Sequence, residues 1–223
     1  MKHTYDLKII DHTIKLNPVT NSLKLYKSRS KIPTSVDLRS KMPPVYDQLN
    51  IGSCTANALV AAYEYNDNKL HGSRLFLYYN ERVLDRNVLN DDGSTLTQGI
   101  NALKKYGLCT ETSWPYIDDG VTFKTKPTNN CYTEANQHHV ILATVINPKL
   151  TNLKNCLIAK LPFVVGISIY ESFESDNVAN TGIVPIPKRE ESLLGGHAVL
   201  CVGYDDSKQW FIMRNSWGDR WGD

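Results

Sequence analysis

The spacing of apolar positions divides the chain into a helical first part and a β-rich second part. Over CTANALVAAYEYNDNKL, residues 54–70, Ala56, Leu59, Val60 and Tyr63 recur at helical spacing, and Ala61 and Ala62 carry the apolar surface round most of the circumference. A helix that is apolar on most sides belongs in an interior. Ser53 stands where an N-cap hydroxyl accepts from the first-turn N–H groups. Leu75–Arg86 carries a second helical pattern and Thr97–Tyr106 a third. The third closes on Lys104, Lys105 and Gly107, which places positive charge at the negative end of the helix and glycine at its cap. Ser113–Asn130, broken by prolines, a glycine and polar residues, reads as loop. From His139 the period changes. VILATVI (140–146), FVVGISIY (163–170), HAVLCVGYD (197–205) and WFIMRNS (210–216) are β-branched and aromatic runs bounded by Pro, Gly and Asp, which predicts strands, with one helix over Leu150–Lys160 between them. Helices followed by strands predict an α+β fold of two lobes with a cleft between them.

Residues 1–31 read as an extension: they hold lysines and no helical period, though Ile9, Ile14 and Leu16 suit a short strand or a segment lying in a groove. The body begins near Ile32, with a helical lobe over about 32–138 and a β lobe over about 139–223.

Composition narrows the function classes. With 223 residues, 41% of them hydrophobic, 22% charged and a net charge of +2, the totals favour neither a nucleic-acid binder nor a membrane-surface binder. No apolar run approaches the roughly 20 residues of a membrane span. The first residues, MKHTYDLKIIDHTIKLNP, lack the apolar stretch of about 7–15 residues of a secretory signal, which points to a cytoplasmic or virion-associated setting over classical secretion. Abundant Asn, Lys, Ile and Tyr suit an AT-rich genome, microbial or viral. Five cysteines without a CxxC pair argue against structural zinc, and an odd, sparse set is not a disulfide framework. Cys109 and Cys131 lie in two strongly punctuated loops, a setting that permits a bridge without demanding one. Cys201, inside an apolar run, and Cys156, on the predicted helix, read as packed core residues. His138 and His139, adjacent in an extended stretch, face opposite sides and read as structural. Asp91–Asp92 and Asp205–Asp206 read as solvated turns.

The residues that carry chemistry fall in three separated segments: QLNIGSCTA (48–56), GGHAVLCVGYD (195–205) and RNSWGDRWG (214–222). Cys54 opens the first helix, where unpaired N–H groups and the helix dipole favour negative charge. Together with a nearby imidazolium, such a position lowers a thiol pKa from about 8.5 to roughly 3.5–7.5, and the thiolate is the nucleophile. His197 follows two glycines at a strand start and is the candidate imidazole, protonating a leaving amine as general acid. Asn215 supplies an amide oxygen to hold the ring's other nitrogen. The Cys54 N–H and the Gln48 side-chain amide are candidate donors to a developing oxyanion. Trp217 is placed to shield the His197–Asn215 contact from water.

These segments resemble, in order and interval, those of the papain and cathepsin cysteine peptidases. Family members carry a glutamine six residues before the nucleophile, as Gln48 stands before Cys54. They carry His-Ala-Val ahead of Val-Gly-Tyr, matched by 197–199 and 202–204, and Asn-Ser-Trp-Gly, matched by 215–218. IPTSVDLR (32–39) resembles the opening of the mature enzymes, and YGLCTETSWPY (106–116) a mid-chain segment of theirs. The resemblance covers residues 32–223 and implies a papain-like two-lobe fold, helical on the left and β-sheet on the right, that hydrolyses peptide bonds in protein or peptide substrates without metal or cofactor. It also implies substrate-backbone contacts at Gly93 and Ser94, where the family has a glycine pair. It further implies an apolar pocket formed by Leu96, Gly166 and Ala198 for the residue before the scissile one, with Trp217 at the cleft.

The chain departs from the family pattern in several places. Ile51 replaces a disulfide cysteine and that cysteine's partner is missing too. Thr55 replaces an aromatic residue, and Gly196 an Asp or Asn. The family's long helical propeptide has no counterpart in residues 1–31, which are expected instead to lie over the cleft as an intramolecular inhibitor. Relatives continue beyond the asparagine segment where this sequence stops at Asp223, which implies a reduced second lobe or a continuing chain. Two rival functions keep the same site: a catalytically silent peptide-binding relative, and a ligase that passes the acyl group to an amine.

Overall fold

The computed structural model describes residues 32–67, 69–140 and 142–222. Its elements run β1 (Ser35–Asp37), α1 (Cys54–Asn66), α2 (Arg74–Leu84), α3 (Leu96–Tyr106), α4 (Asn129–Ala135), α5 (Leu150–Ile158), β2 (Phe163–Tyr170), α6 (Asp176–Thr181), β3 (Leu193–Asp205) and β4 (Trp210–Arg214). The expected extension over residues 1–31 lies outside the described residues.

β3 organises the sheet. One of its edges pairs antiparallel with β2, Ile167 opposite His197 and Gly166 opposite Ala198, and farther along with β1, Val36 opposite Tyr204. The other edge pairs with β4, Leu200 opposite Arg214, with a register shift between Cys201 and Gly203. α1 lies against β3, and α2 and α3 pack beside it. The main core therefore joins Leu59 and Val60 of α1 and Leu75, Leu77 and Tyr78 of α2 to Leu200, Val202 and Tyr204 of β3. α1 is buried along its whole first half, Cys54 through Ala61, as its all-round apolar surface requires.

The α+β, two-lobe architecture matches the sequence expectation, with particular corrections. The run 140–146 forms no strand where it is described. Val140 packs against the main core, but Leu142 and Val145 are exposed, so the middle of the run lacks the covering layer that would favour a strand. The expected loop 113–130 gives way at its end to α4, and α6 was not expected at all. β1, ahead of α1 in sequence, belongs to the sheet, so chain order and layer order differ there. α1 ends at Asn66 rather than running to Leu70, and α2 ends at Leu84, with Arg86 turned to positive φ. Gly107 closes α3 at φ +72, and its N–H bonds Leu103 O. A Cβ there would stand 1.8 Å from the carbonyl oxygen of Ala135, so both conformation and space require glycine.

Ser53 occupies the N-cap position of α1 but does not cap it. Its hydroxyl sits 2.6 Å from the Tyr116 hydroxyl and accepts from Asn57 Nδ2 at 3.0 Å. Diverting this hydroxyl leaves Ser53 making no side-chain cap on α1, at the end where Cys54 sits.

Candidate active site

The ends of three elements converge here: the start of α1, the early part of β3 and the turn after β4. Cys54, on the first residue of α1, shares a small buried cluster with Ala58 and Ala198, the residue next to His197. His197 Nε2 lies 2.8 Å from Asn215 Oδ1. The same oxygen accepts the Ser216 N–H at 2.8 Å, which fixes the amide with its oxygen toward the ring. A ring nitrogen bonded to an amide oxygen is the one that carries the proton, so Nδ1 is left as the nitrogen that exchanges a proton. Trp217 packs on His197 with ring centroids 5.0 Å apart. Phe173 and Trp221 meet Trp217 edge to face at 5.5 and 5.2 Å, which builds an aromatic cluster on the side of His197 that Trp217 covers.

Gln48 is fixed through both ends of its amide. Oε1 accepts from Ser216 Oγ at 2.6 Å, and Nε2 donates to Ile51 O at 2.9 Å. Backbone bonds stitch the same stretch to the turn after β4: Gln48 N to Ser216 O at 2.8 Å and Gly218 N to Tyr46 O at 2.9 Å. Gln48, Asn215 and Ser216, distant in sequence, thus form one hydrogen-bonded unit.

The turn from Gln48 to Ser53 is held from two further sides. Asp91 accepts the Gly52 N–H at 3.1 Å and also the Tyr78 hydroxyl. This corrects the reading of Asp91 as a solvated turn residue: its carboxylate is half-buried and positions the backbone two residues before Cys54. From the other side, Tyr116 donates to Gln48 O at 2.8 Å, and Asp118 accepts from Asn50 N at 3.1 Å. Arg74 ties this together. Its guanidinium lies over Tyr116 at 4.1 Å and Tyr46 at 4.6 Å, pairs with Glu111 at 3.0 Å and donates to Asp47 O at 3.3 Å. Behind α1, Thr55 donates to Glu81 at 2.6 Å; complete burial pushes the Glu81 pKa up to about 8.

The residues singled out for substrate contact are distributed as follows. Gly93 takes φ +67 and donates to the Tyr78 hydroxyl at 3.2 Å. Ser94 is not among the residues at positive φ, and its hydroxyl is turned to Asp85 at 2.8 Å, so serine is tolerated where the second glycine would stand. Leu96 and Ala198 pack with Cys54, and Gly166 faces Ala198 across the sheet. Val164, two residues before Gly166, packs on the same cluster and was not anticipated. An i, i+2 repeat on one strand face was the available signal. Asp91, Tyr116 and Arg74 were likewise missed as site supports, because each acts through partners distant in sequence.

His139 bonds Lys104 O and Asn136 Oδ1 at 3.0 and 3.1 Å, a structural placement. Among the described residues no helix is long and apolar enough to cross a membrane.

This fold and this arrangement of cysteine, histidine, asparagine and glutamine define the papain class. A profile described as papain family cysteine protease matches residues 32–223, and the chain belongs to that family. A peptidase C1-like protein of Acanthamoeba polyphaga mimivirus is 40% identical over 190 residues, spanning 79% of this chain and 60% of its own length. Cysteine proteinase 3 of Entamoeba histolytica is 29% identical over 197 residues, spanning 86% and 60%. The chain thus spans about 60% of the length of these curated relatives. Among solved structures, xylellain, a cysteine protease from Xylella fastidiosa, superposes with a TM-score of 0.83 at 38% identity, covering 99% of this chain and 86% of that one. The digestive procathepsin L 3 of Tenebrio molitor, at 20% identity and a TM-score of 0.59, shares the fold.

Proposed function

We propose that the chain is an endopeptidase that cleaves peptide bonds through an acyl-enzyme on Cys54. The observation that carries this reading is the His197 Nε2–Asn215 Oδ1 bond of 2.8 Å beside the N-terminus of the helix that Cys54 opens. In this reading the Cys54 thiolate attacks the scissile carbonyl, and the Cys54 N–H and the second Nε2 hydrogen of Gln48 take up the oxyanion. His197 gives its Nδ1 proton to the leaving amine, then draws one from the water that frees the acid. Asn215 keeps the ring in place for both transfers. Leu96, Val164, Gly166 and Ala198 form an apolar pocket for the substrate side chain preceding the scissile residue, and Gly93 offers its backbone to the peptide.

The test is labelling by a peptidyl epoxide together with turnover of a fluorogenic peptide. Labelling at Cys54, with labelling and turnover both abolished in Cys54→Ala, supports the assignment. Peptide binding with neither labelling nor turnover indicates a silent binding module. A new amide product when an amine is added indicates an acyl-transferring ligase.

Residues 1–31 act, in the same reading, as an intramolecular inhibitor. They precede the family-matched region, where a segment reaching back to the cleft would limit access to Cys54. A chain starting at Ile32 should hydrolyse peptide faster than the full chain, and equal rates would rule the inhibition out.

A further inference from the structure

Cys109 and Cys131 share a buried cluster with Phe76 and Ala135, under Tyr106, Trp114 and Tyr132. They are 0% and 1% exposed. Both are free thiols in the structure. Cys131 Sγ also lies 3.4 Å from Ser113 O and 3.2 Å from Thr128 Oγ1, so its position is set by the loop it would help to close.

That loop matters because of what it carries. Between the two cysteines lie Glu111, which pairs with Arg74, Tyr116, which holds Gln48 O and Ser53, and Asp118, which holds Asn50. With Asp91, Arg74 and Ser216, which lie outside the segment, these side chains hold the turn ahead of Cys54. At its two ends the segment is fastened by non-covalent contacts, among them the Thr110 N–H to Glu134 of α4 at 3.1 Å.

We infer that Cys109 and Cys131 form a redox-closable pair whose disulfide locks the strap that supports the turn before Cys54. Glutathione disulfide is a sufficient oxidant. One cysteine thiolate attacks it, making a mixed disulfide and releasing one glutathione thiolate. The second cysteine displaces the other glutathione, the two protons go to the two leaving thiolates, and the electron pair ends on glutathione. Burial pushes the Cys109 thiol far up from its ordinary range, so the reaction proceeds when the strap opens or while the chain folds, and the closed reduced form resists it. The inference does not depend on peptidase activity.

The experiment uses the full chain carrying Cys54→Ala, or Cys54→Ser should the first fold poorly, so that the proposed nucleophilic thiol does not compete for the oxidant. The protein is equilibrated at several ratios of glutathione to glutathione disulfide, quenched with acid, alkylated and digested. The expected result is a linked pair of peptides containing Cys109 and Cys131, with Cys156 and Cys201 still alkylated. By the chain-entropy and unfolding-entropy scales, closing the loop from Cys109 to Cys131 raises the melting midpoint by about 7 °C, reversibly with dithiothreitol. Adding Cys131→Ala removes both the link and the redox-dependent part of the midpoint. All four remaining thiols alkylated at the most oxidising ratio, or a link that leaves the midpoint unchanged, would overturn the inference.

Discussion

Tyr116→Phe isolates the contribution of the strap to the site. The phenylalanine ring keeps its place against the Arg74 guanidinium, which lies 4.1 Å from the ring centroid, so only the hydroxyl is lost. That hydroxyl makes two bonds, to Gln48 O at 2.8 Å and to Ser53 Oγ at 2.6 Å. Gln48 O still accepts from Ile51 N at 3.2 Å, and Ser53 Oγ still accepts from Asn57 at 3.0 Å. The Ser53 O–H is different: Tyr116 gives its own proton to Gln48 O, so Ser53 donates to Tyr116 and loses that acceptor while buried. The cost is therefore two ordinary hydrogen bonds and one stranded buried donor, about 3 kcal/mol in total. For a chain of 223 residues that corresponds to a melting midpoint lower by about 6 °C. Because the two bonds fix the ends of the turn that carries the proposed oxyanion donors, kcat should fall about tenfold, equivalent to 1.4 kcal/mol, while KM changes less than about threefold. Urea unfolding and steady-state hydrolysis of a fluorogenic peptide read both effects on one preparation. A loss of stability with unchanged kcat would show that the strap is merely structural, and no change in either would refute the energetic reasoning.

Three further outcomes follow from the geometry. Asn215→Ala removes the acceptor of His197 Nε2; losing one such bond should lower kcat about tenfold with a small change in KM, and an unaltered kcat in peptide hydrolysis would contradict the orienting role. Glu81 holds its proton up to about pH 8 in the folded chain, whereas an unfolded glutamate releases it near 4.5, so stability falls as pH rises between these values. Glu81→Gln still accepts from Thr55 but does not titrate. Its urea midpoint should gain on the parent progressively from pH 5 to pH 8, and a constant offset would exclude the linkage. Gly107→Ala forces a Cβ against Ala135 O at positive φ and should lower stability by at least about 2 kcal/mol in urea unfolding; a smaller loss would mean that the α3–α4 junction relaxes readily.

Long elements with a clear period were legible in the sequence. α1 to α3 and α5 follow from apolar spacing, and β2, β3 and β4 from β-branched runs, each within a few residues of its structural limits. α4 and α6, of 7 and 6 residues, were not, because helices this short draw their stability from docking rather than from their own pattern. The run at 140–146 looked like a strand because β propensity registers side-chain type, whereas a strand also needs a partner and a covering layer. At the site, Cys54, His197, Asn215 and Gln48 stood out because the chemistry requires those residue types at helix and strand starts. Their supports did not. Asp91 resembles any acidic turn until Gly52 is seen beside it, Tyr116 looks like one aromatic among many, and Ser53 has the right identity for a cap that it does not make. Those roles belong to pairs of residues brought together only by folding.

The central claim is that helix terminus and imidazole together hold Cys54 as a thiolate. The direct measurement is the rate of iodoacetamide alkylation at Cys54 from pH 4 to pH 10, in a chain starting at Ile32 and in its His197→Ala variant. The account predicts rapid alkylation that persists well below pH 8 in the first protein and is lost there in the second. Identical profiles, both rising only near the pH where an ordinary free thiol ionises, would contradict it.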